Sequence, residues 1–389
     1  MTLIQFGDLM SERVELTIIG GGIIGCAIAY KLSQHFDDIF VIEKNAKITA
    51  ENQSSRNSGV VHAGVYYPRD LSPLKSKLCV PGNKMIYDFC KEFDVPCQKT
   101  GKIIVATDEI DNMYVKDTLQ IARENGVPDC RMISPDDVRS LEPNVDCIAA
   151  AYFPTSGIVE PTELLYKLFS LASNDGAFFM TGTKVVDIRP HDRYFEVTTT
   201  SQGRNETFET GHLINAAGLY ADNIARMVDS DFPYHIRPVR GESAKFYKNK
   251  RDDIRHSGLN IYPAPYALLP NGEKARIPFD EFQQLFKQKK VLKTVGIHLT
   301  PTFTEKNGGY IVGNEVTLGP APKGVSDRED TANDLYPPEH FYENVHSFFP
   351  KLRIDDIILH QVGIQAKLED HYDWVIERSE KYPRCINLA

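Results

Sequence analysis

The chain of 389 residues lacks the patterns of several functional classes. Its seven cysteines, Cys26, Cys79, Cys90, Cys97, Cys130, Cys147 and Cys385, are scattered and odd in number, with no CxxC pair. A disulfide framework and a structural zinc site are both excluded on that pattern. No cluster of ligand-type residues points to a metal, and no GxSxG nucleophile elbow is present. The apolar run from Ile18 to Tyr30 is too short to span a bilayer. The first dozen residues hold Asp8 and Glu12 and no arginine before Arg13, unlike a transit peptide. Internal repeats and long low-complexity tracts are absent. Excess positive charge is absent too: the net charge is -9, which does not fit a nucleic-acid partner. An acidic substrate would then need a local basic site, which total charge does not reveal. Hydrophobic content of 42% and charged content of 25% fit a globular chain, and the length suggests two domains with large cores.

What the chain does have is concentrated between Val14 and Glu43, VELTIIGGGIIGCAIAYKLSQHFDDIFVIE. Val14 to Ile19 read as a strand. Gly20, Gly22 and Gly25 have the spacing of the dinucleotide fingerprint. Ile23, Ile24, Ala27, Ile28 and Leu32 follow at helical spacing, and Ile39 to Ile42 read as a second strand. The first glycine permits a tight turn, the second lets a pyrophosphate approach the backbone, and the third lets the helix pack close to the strand. The helix N-terminus meets the phosphate charge with N–H groups and the positive end of its dipole. Glu43, about 20 residues past the glycines, is placed to accept bonds from ribose hydroxyls. Cys26, on the first helix, reads as core. The unit binds NAD or FAD, and its place at the start of the chain argues for FAD.

Two further segments support a flat ligand. In SSRNSGVVHAGVYYP, which starts at Ser54, the residues Ser54, Ser55, Asn57 and Ser58 either cap a helix or hold polar cofactor atoms. INAAGLYAD, residues 214–222, is an apolar strand that stops at small residues. There Ala216, Ala217 and Gly218 would let backbone lie close to a flat ring.

These segments, together with SGIVEPTEL, PVRGE and GIHLTPT, resemble the D-amino-acid-oxidase-like flavoproteins in content and order. The resemblance runs from about Val14 to Leu388, and SRNSGVVHAGVYY is most similar to the L-2-hydroxyglutarate dehydrogenase group within that family. It implies bound FAD and oxidation of a small 2-hydroxy acid, a dicarboxylate, at the carbon that bears its hydroxyl. An amine or amino-acid oxidase on the same fold, or a non-catalytic relative, is the alternative. The electron acceptor is left open. The expected compartment is the cytoplasm, with the mitochondrion as alternative because eukaryotic family members are often found there.

Two features depart from the family pattern. Gln365 stands in HQVGIQAK where the family usually carries an arginine. The sequence as given stops at Ala389, after CINL, where the family usually continues with a glycine-rich segment near GIDSPGLT and a last helix. In the family that segment presents N–H groups to the flavin, so loose FAD binding and slow turnover are the expectation here.

The cofactor-binding set expected from fingerprint and resemblance is Gly20, Gly22, Gly25, Glu43, Lys44, Ser55, Arg56, Asn57, Ser58, Val185, Ala217 and Gly218. Val185 enters by resemblance, in the TKVVDI strand that lies against adenine in the family. Alcohol oxidation also needs a base for the hydroxyl proton, and histidine suits neutral pH. Of eleven histidines, His298 in GIHLT is the first choice and His62 in VVHAG the second. A covalent flavin link at His62 is the lesser alternative. For the substrate carboxylates, Arg240 in PVRGE leads, followed by Lys367, while Arg56 serves either carboxylate or cofactor phosphates. Tyr66, Tyr67 and Tyr262 either line the pocket or simply pack.

The expected fold is α/β and α+β: a Rossmann-like FAD-binding domain interleaved with a mixed-sheet substrate domain. The FAD-binding domain takes residues 14–94, 151–234 and 357–389. The substrate domain takes 95–150 and 235–356, with an insertion at 266–293. ISPDDVRSLEP predicts a short helix capped by Ser134 with Pro135 at its first position. The insertion predicts a turn at Asn271-Gly272 and an amphipathic helix with Phe279, Phe282, Leu285 and Phe286 on one face. That insertion is either a surface elaboration, the favoured reading, or a lid or partner-binding helix.

Overall fold

The computed structural model describes residues 13–49, 51–269, 274–275, 277–288 and 290–389. Asn271 and Gly272, the expected turn, lie outside them. The chain forms two compact units, each assembled from separated stretches.

One unit comprises the described residues up to Arg56, Pro161–Pro238 and Gln365–Ala389. Its sheet is built on β1 (Val14–Ile19), which pairs in parallel with β2 (Ile39–Ile42) on one side and with the strand Arg204–Asn215 on the other. Phe178–Met180 extends the sheet beyond β2. Phe195–Ser201 and Lys184–Pro190 extend it antiparallel beyond Arg204–Asn215. Cys385–Leu388 runs parallel to the end of Arg204–Asn215. Strands buried on both faces read as unbroken apolar runs; IFVI does so, and VELTII departs from it at the exposed Glu15 and the buried Thr17. Leu16, Ile18, Ile39, Val41 and Ile214 pack in one cluster, and Ile19, Ile42, Val185, Val197 and Leu213 in another. Each fully buried aliphatic side chain contributes about 1.5–3 kcal/mol. The helix α1 (Ile23–Leu32) packs against the helix Pro161–Asn174 over the first cluster. Cys26 is fully buried on α1, its thiol donating to the Gly21 carbonyl at 3.3 Å.

The second unit comprises Asn57–Glu160 and Val239–Ile364. Its main sheet is mixed and has eight strands in the order Ile358–Leu368, Ile236–Tyr247, Gly309–Gly324, His298–Lys306, Asn260–Pro263, Lys102–Ala106, Ala149–Phe153 and Arg131–Ile133. The helix Glu109–Glu124 opens on an Asp108 cap and lays Val115, Leu119 and Ala122 onto Ile104, Ala106 and Phe153. The predicted short helix forms at Pro135–Leu141, with Ser134 and Asp137 completing a reciprocal capping box. The insertion forms a helix at Phe279–Lys287 whose Phe282 is buried and stacks near Tyr114, 5.2 Å between ring centres. Tyr114 also donates from its hydroxyl to the Ile277 carbonyl at 3.0 Å.

The unit bounds differ from the expected ones. Residues 57–94 and 151–160 fall in the second unit, as do 357–364, while 235–238 fall in the first. The reason is long-range pairing. Val60–Val61 pairs antiparallel with Gly157–Val159, and Ala63 and Val65 join the core around Ile104 and Phe153. The helix Pro73–Phe93 is tied in by Asn83, whose side-chain amide donates to the carbonyls of His62 at 3.0 Å and Thr155 at 2.9 Å. Among the described residues no helix is long and apolar enough to cross a membrane.

Asn83 is buried, and its loss removes two hydrogen bonds to carbonyls that the Tyr87 hydroxyl and the Cys79 thiol also reach. Asn83→Ala is expected to lower unfolding free energy by about 1–3 kcal/mol, read from the urea midpoint at constant slope. A change below ~0.5 kcal/mol, the scatter of surface substitutions, would show that this tie does not hold the segment.

Candidate functional site

In the first unit the glycine fingerprint lies where β1 meets α1. Gly20 has a φ of +108°, and a side chain there would overlap the carbonyl of Ala216. A side chain on Gly25 would overlap the carbonyl of Gly20. These two glycines therefore let the turn close and seat it against the INAAG segment. Gly22 is the N-cap of α1, with no side-chain cap and no acid in the first turn, so the positive end of the helix dipole is not offset. Ser54 contributes by accepting the Ile23 N–H at 2.9 Å.

Glu43 ends β2 buried, and its carboxylate accepts the N–H of Gly21 at 2.8 Å and of Asn45 at 2.9 Å. Those bonds fix its orientation and leave lone pairs over for a diol. The Lys44 ammonium sits 5.1 Å from the centre of the Tyr220 ring. Ser55 is held by Asn52 in a short turn, and Arg56 follows it. Val185 is buried in Lys184–Pro190, beside a bulge in its pairing with Phe195–Ser201. Ala217 takes a bond from its N–H to Asn215 at 3.3 Å, and Gly218 is exposed with a φ of +55° and open space where a side chain would be. The first unit thus gathers Gly20, Gly22, Gly25, Glu43, Lys44, Ser55, Arg56, Val185, Ala217 and Gly218. A glycine turn at a helix start with no acid in its first turn, beside an oriented carboxylate, fits a dinucleotide cofactor. Asn57 and Ser58 belong to the second unit, where Asn57 accepts the Gly59 N–H at 2.7 Å and Ser58 is half-buried.

In the second unit three neighbouring strands present polar groups on one face. The strand of Tyr262 lies between those of Lys102 and His298. His298 is buried, its Nδ1 3.2 Å from the Gly296 carbonyl and its Nε2 without a partner among the described residues. That geometry assigns the proton to Nδ1 and leaves Nε2 as an acceptor. Burial first, and then the charge of Lys102, push the imidazole down to about 3, so it is neutral at physiological pH. Its ring stacks on Tyr262 with centres 3.9 Å apart and planes at 13°. His62 is exposed, and its carbonyl receives the Asn83 amide.

The expected carboxylate partners fare differently. Arg240 is 2% exposed and is held by Glu242 at 3.0 Å, Asp330 at 2.5 Å and Asp334 at 2.6 Å. Glu242 in turn accepts the backbone N–H groups of Asp334, Leu335 and Tyr336. The guanidinium fastens the 330–336 loop to the sheet and is not a free anion site. Lys367 and Gln365 are exposed, both in the first unit. Among the described residues no group of three or more metal-ligating side chains occurs.

Lys102 was not among the candidates, yet it is the most unusual group here. It is fully buried, and its ammonium nitrogen has no hydrogen-bond partner among the described residues. The sequence signal was faint: a lysine that opens the apolar run KIIVA, all of it buried. A strand with no alternation is buried on both faces, so its first residue is buried as well.

The family model described as FAD dependent oxidoreductase matches residues 15–389. The mitochondrial L-2-hydroxyglutarate dehydrogenase of Caenorhabditis elegans is 29% identical over 388 residues, covering 92% of this chain and 82% of that protein. A glycerol 3-phosphate dehydrogenase of Caloramator mitchellensis is 32% identical over 230 residues, covering 59% of this chain and 46% of that protein. Among solved structures, the FAD-bound L-alpha-glycerophosphate oxidase of Mycoplasma pneumoniae has the same fold, with a TM-score of 0.79 at 22% identity, covering 97% of this chain and 89% of that one. With a dinucleotide turn at its start and a family match over nearly its whole length, the chain belongs to the FAD-dependent oxidoreductases of the D-amino-acid-oxidase-like family.

Proposed function

We propose that this enzyme oxidises a small 2-hydroxy dicarboxylate, L-2-hydroxyglutarate, to 2-oxoglutarate. The observation that carries the reading is His298: a buried, neutral imidazole with an acceptor nitrogen that nothing else uses. Bound FAD would supply the hydride acceptor for oxidation at the hydroxyl-bearing carbon. His298 Nε2 takes the hydroxyl proton, and its stack on Tyr262 together with the Nδ1 bond holds the ring in place. His62 is the second candidate for that proton. Lys367 remains the candidate for a substrate carboxylate, and Arg240 is set aside because its three carboxylate partners satisfy it. The substrate assignment rests on the C. elegans relative.

For the cofactor, Gly20, Gly22 and Gly25 would receive the pyrophosphate and Glu43 the ribose. Val185 would face adenine, and Ala217 and Gly218 would lie against the flat rings. Lys44, Ser55, Arg56, Asn57 and Ser58 would supply polar contacts. A second reading, oxidation of glycerol 3-phosphate, has the Caloramator relative in its favour. Both substrates are anionic secondary alcohols, so the same base serves either.

Gly22→Leu is expected to abolish FAD binding, because a bulky side chain at the N-cap occupies the approach of the pyrophosphate. Visible absorbance of the purified variant after incubation with FAD checks this, and retention equal to the parent would remove the fingerprint from the cofactor site. His298→Ala is expected to slow substrate-driven flavin reduction by roughly 100-fold or more while FAD stays bound. Anaerobic stopped-flow with L-2-hydroxyglutarate, glycerol 3-phosphate and a set of amino acids measures the rate and names the substrate together. An unchanged rate in His298→Ala would move the base to His62 or elsewhere.

A further inference from the structure

The cluster around His298 contains a cation that the proposed chemistry does not yet use. In the sheet Asn260 lies opposite Lys102, and Ile261 lies opposite Leu299. Alternation along each strand then puts Lys102, Tyr262 and His298 on one face, with Tyr262 in the middle. The imidazole covers one face of the Tyr262 ring at 3.9 Å, and the Lys102 nitrogen stands 3.9 Å from the same ring centre. Both fit only on opposite faces. The Tyr66 ring flanks the lysine, its centre 5.4 Å from the nitrogen and 6.4 Å from that of Tyr262. Among the described residues no carboxylate pairs with Lys102, and neither its nitrogen nor His298 Nε2 has a hydrogen-bond partner.

We propose that Lys102 is a positioning residue that controls, across the Tyr262 ring, when His298 accepts the substrate proton. The inference rests on the reading of His298 as the base. A cation stacked behind the ring opposes a second positive charge on the imidazole. When Lys102 gives its proton to solvent, that opposition is lifted and His298 becomes the better acceptor. Burial lowers Lys102 from the usual lysine range to about 7, so the change falls within physiological pH. The other ionisable groups around the pair do not change charge there. Burial lifts Cys79, on the helix Pro73–Phe93, to about 11, and it lifts Tyr66, Tyr67 and Tyr262 above their ordinary range. His62, whose charge also opposes protonation of His298, is the exception to be controlled.

The size follows from distance. Two steps of 3.9 Å place the charges roughly 8 Å apart. At an effective dielectric constant near 20 this coupling corresponds to about a 30-fold change in the proton affinity of His298. Proton abstraction should therefore quicken as pH rises through about 7.

The test combines a spectroscopic readout with a kinetic one. In FAD-loaded protein with isotope-labelled histidine, the His298 resonance is assigned by its loss in His298→Gln. In the parent it is expected to move through an inflection near pH 7, and to do so equally in His62→Gln. The inflection should vanish in Lys102→Met and in Lys102→Arg. Substrate-driven flavin reduction should lose its rising limb in both variants. Lys102→Met should stay at the parent's high-pH rate at pH 6, and Lys102→Arg should stay about 30-fold slower at pH 8. A merely structural role would leave the limb in place. A flat His298 resonance between pH 6 and 8 in the parent overturns the proposal without any variant, so poor folding of the Lys102 variants does not shelter it. A limb that persists in Lys102→Met also overturns it. The resonance needs no turnover, so an error in the substrate would leave the inflection intact and the two failures are told apart.

Discussion

The contact among Gly20, Gly25 and Ala216 sets the geometry of the cofactor half. The carbonyls of Gly20 and Ala216 occupy the volumes that side chains on Gly25 and Gly20 would need. That contact draws α1 down onto the end of β1 and brings the start of the helix beside the INAAG turn. The Ala216 N–H bonds the Ile19 carbonyl at 2.9 Å, and the Gly20 N–H bonds the Ile42 carbonyl at 2.8 Å. Three strand ends are thereby held in one register. Glu43 follows directly, oriented by Gly21 and Asn45. The contacts proposed for phosphate and ribose thus depend on the same absence of side chains.

The second unit works by a different principle. Its sheet buries polar groups that a plain core would exclude, and each such group costs free energy unless it is paired. Most are paired: Arg240 by three carboxylates, and Glu142 by the N–H groups of Ser257, Gly258 and Leu259. Lys102 and His298 Nε2 are among the atoms that are not hydrogen-bonded among the described residues. Unpartnered buried atoms also occur elsewhere in the unit, at Asn112, Asn125, Ser156, Arg251 and His256; what sets this pair apart is the Tyr262 ring that both groups approach. A buried cation and an unused acceptor on neighbouring strands persist only where surrounding structure enforces them.

Local sequence carried the fingerprint of the first unit and the capped helix of the second well. The strand bounds Val14–Ile19 and Ile39–Ile42, the helix Ile23–Leu32 and the Ser134-capped helix were all legible, because each is set by neighbours within one or two turns. The unit boundaries were not. Residues 57–94 follow the fingerprint in the chain, yet they are claimed by a strand pairing about a hundred residues further on, between Val60–Val61 and Gly157–Val159. Arg240 misled for the same reason. Asp330 and Asp334, which hold it, lie 90 and 94 residues downstream, and no local pattern marks them as partners. Lys102 has no motif around it beyond the apolar run KIIVA, and only the register of that strand places it inside the sheet beside Tyr262. What hides in a sequence is thus chiefly long-range pairing, and here that pairing decides which cation is spent and which is available.

The central claim is that His298 Nε2 receives the proton of the substrate hydroxyl. The most direct measurement is a crystal structure of the FAD-loaded protein with bound 2-oxoglutarate, the proposed product. The account predicts that the C2 oxygen lies within about 2.6–3.2 Å of His298 Nε2. A fully occupied 2-oxoglutarate whose C2 oxygen is held by other groups, with His298 Nε2 still facing only protein, would contradict it.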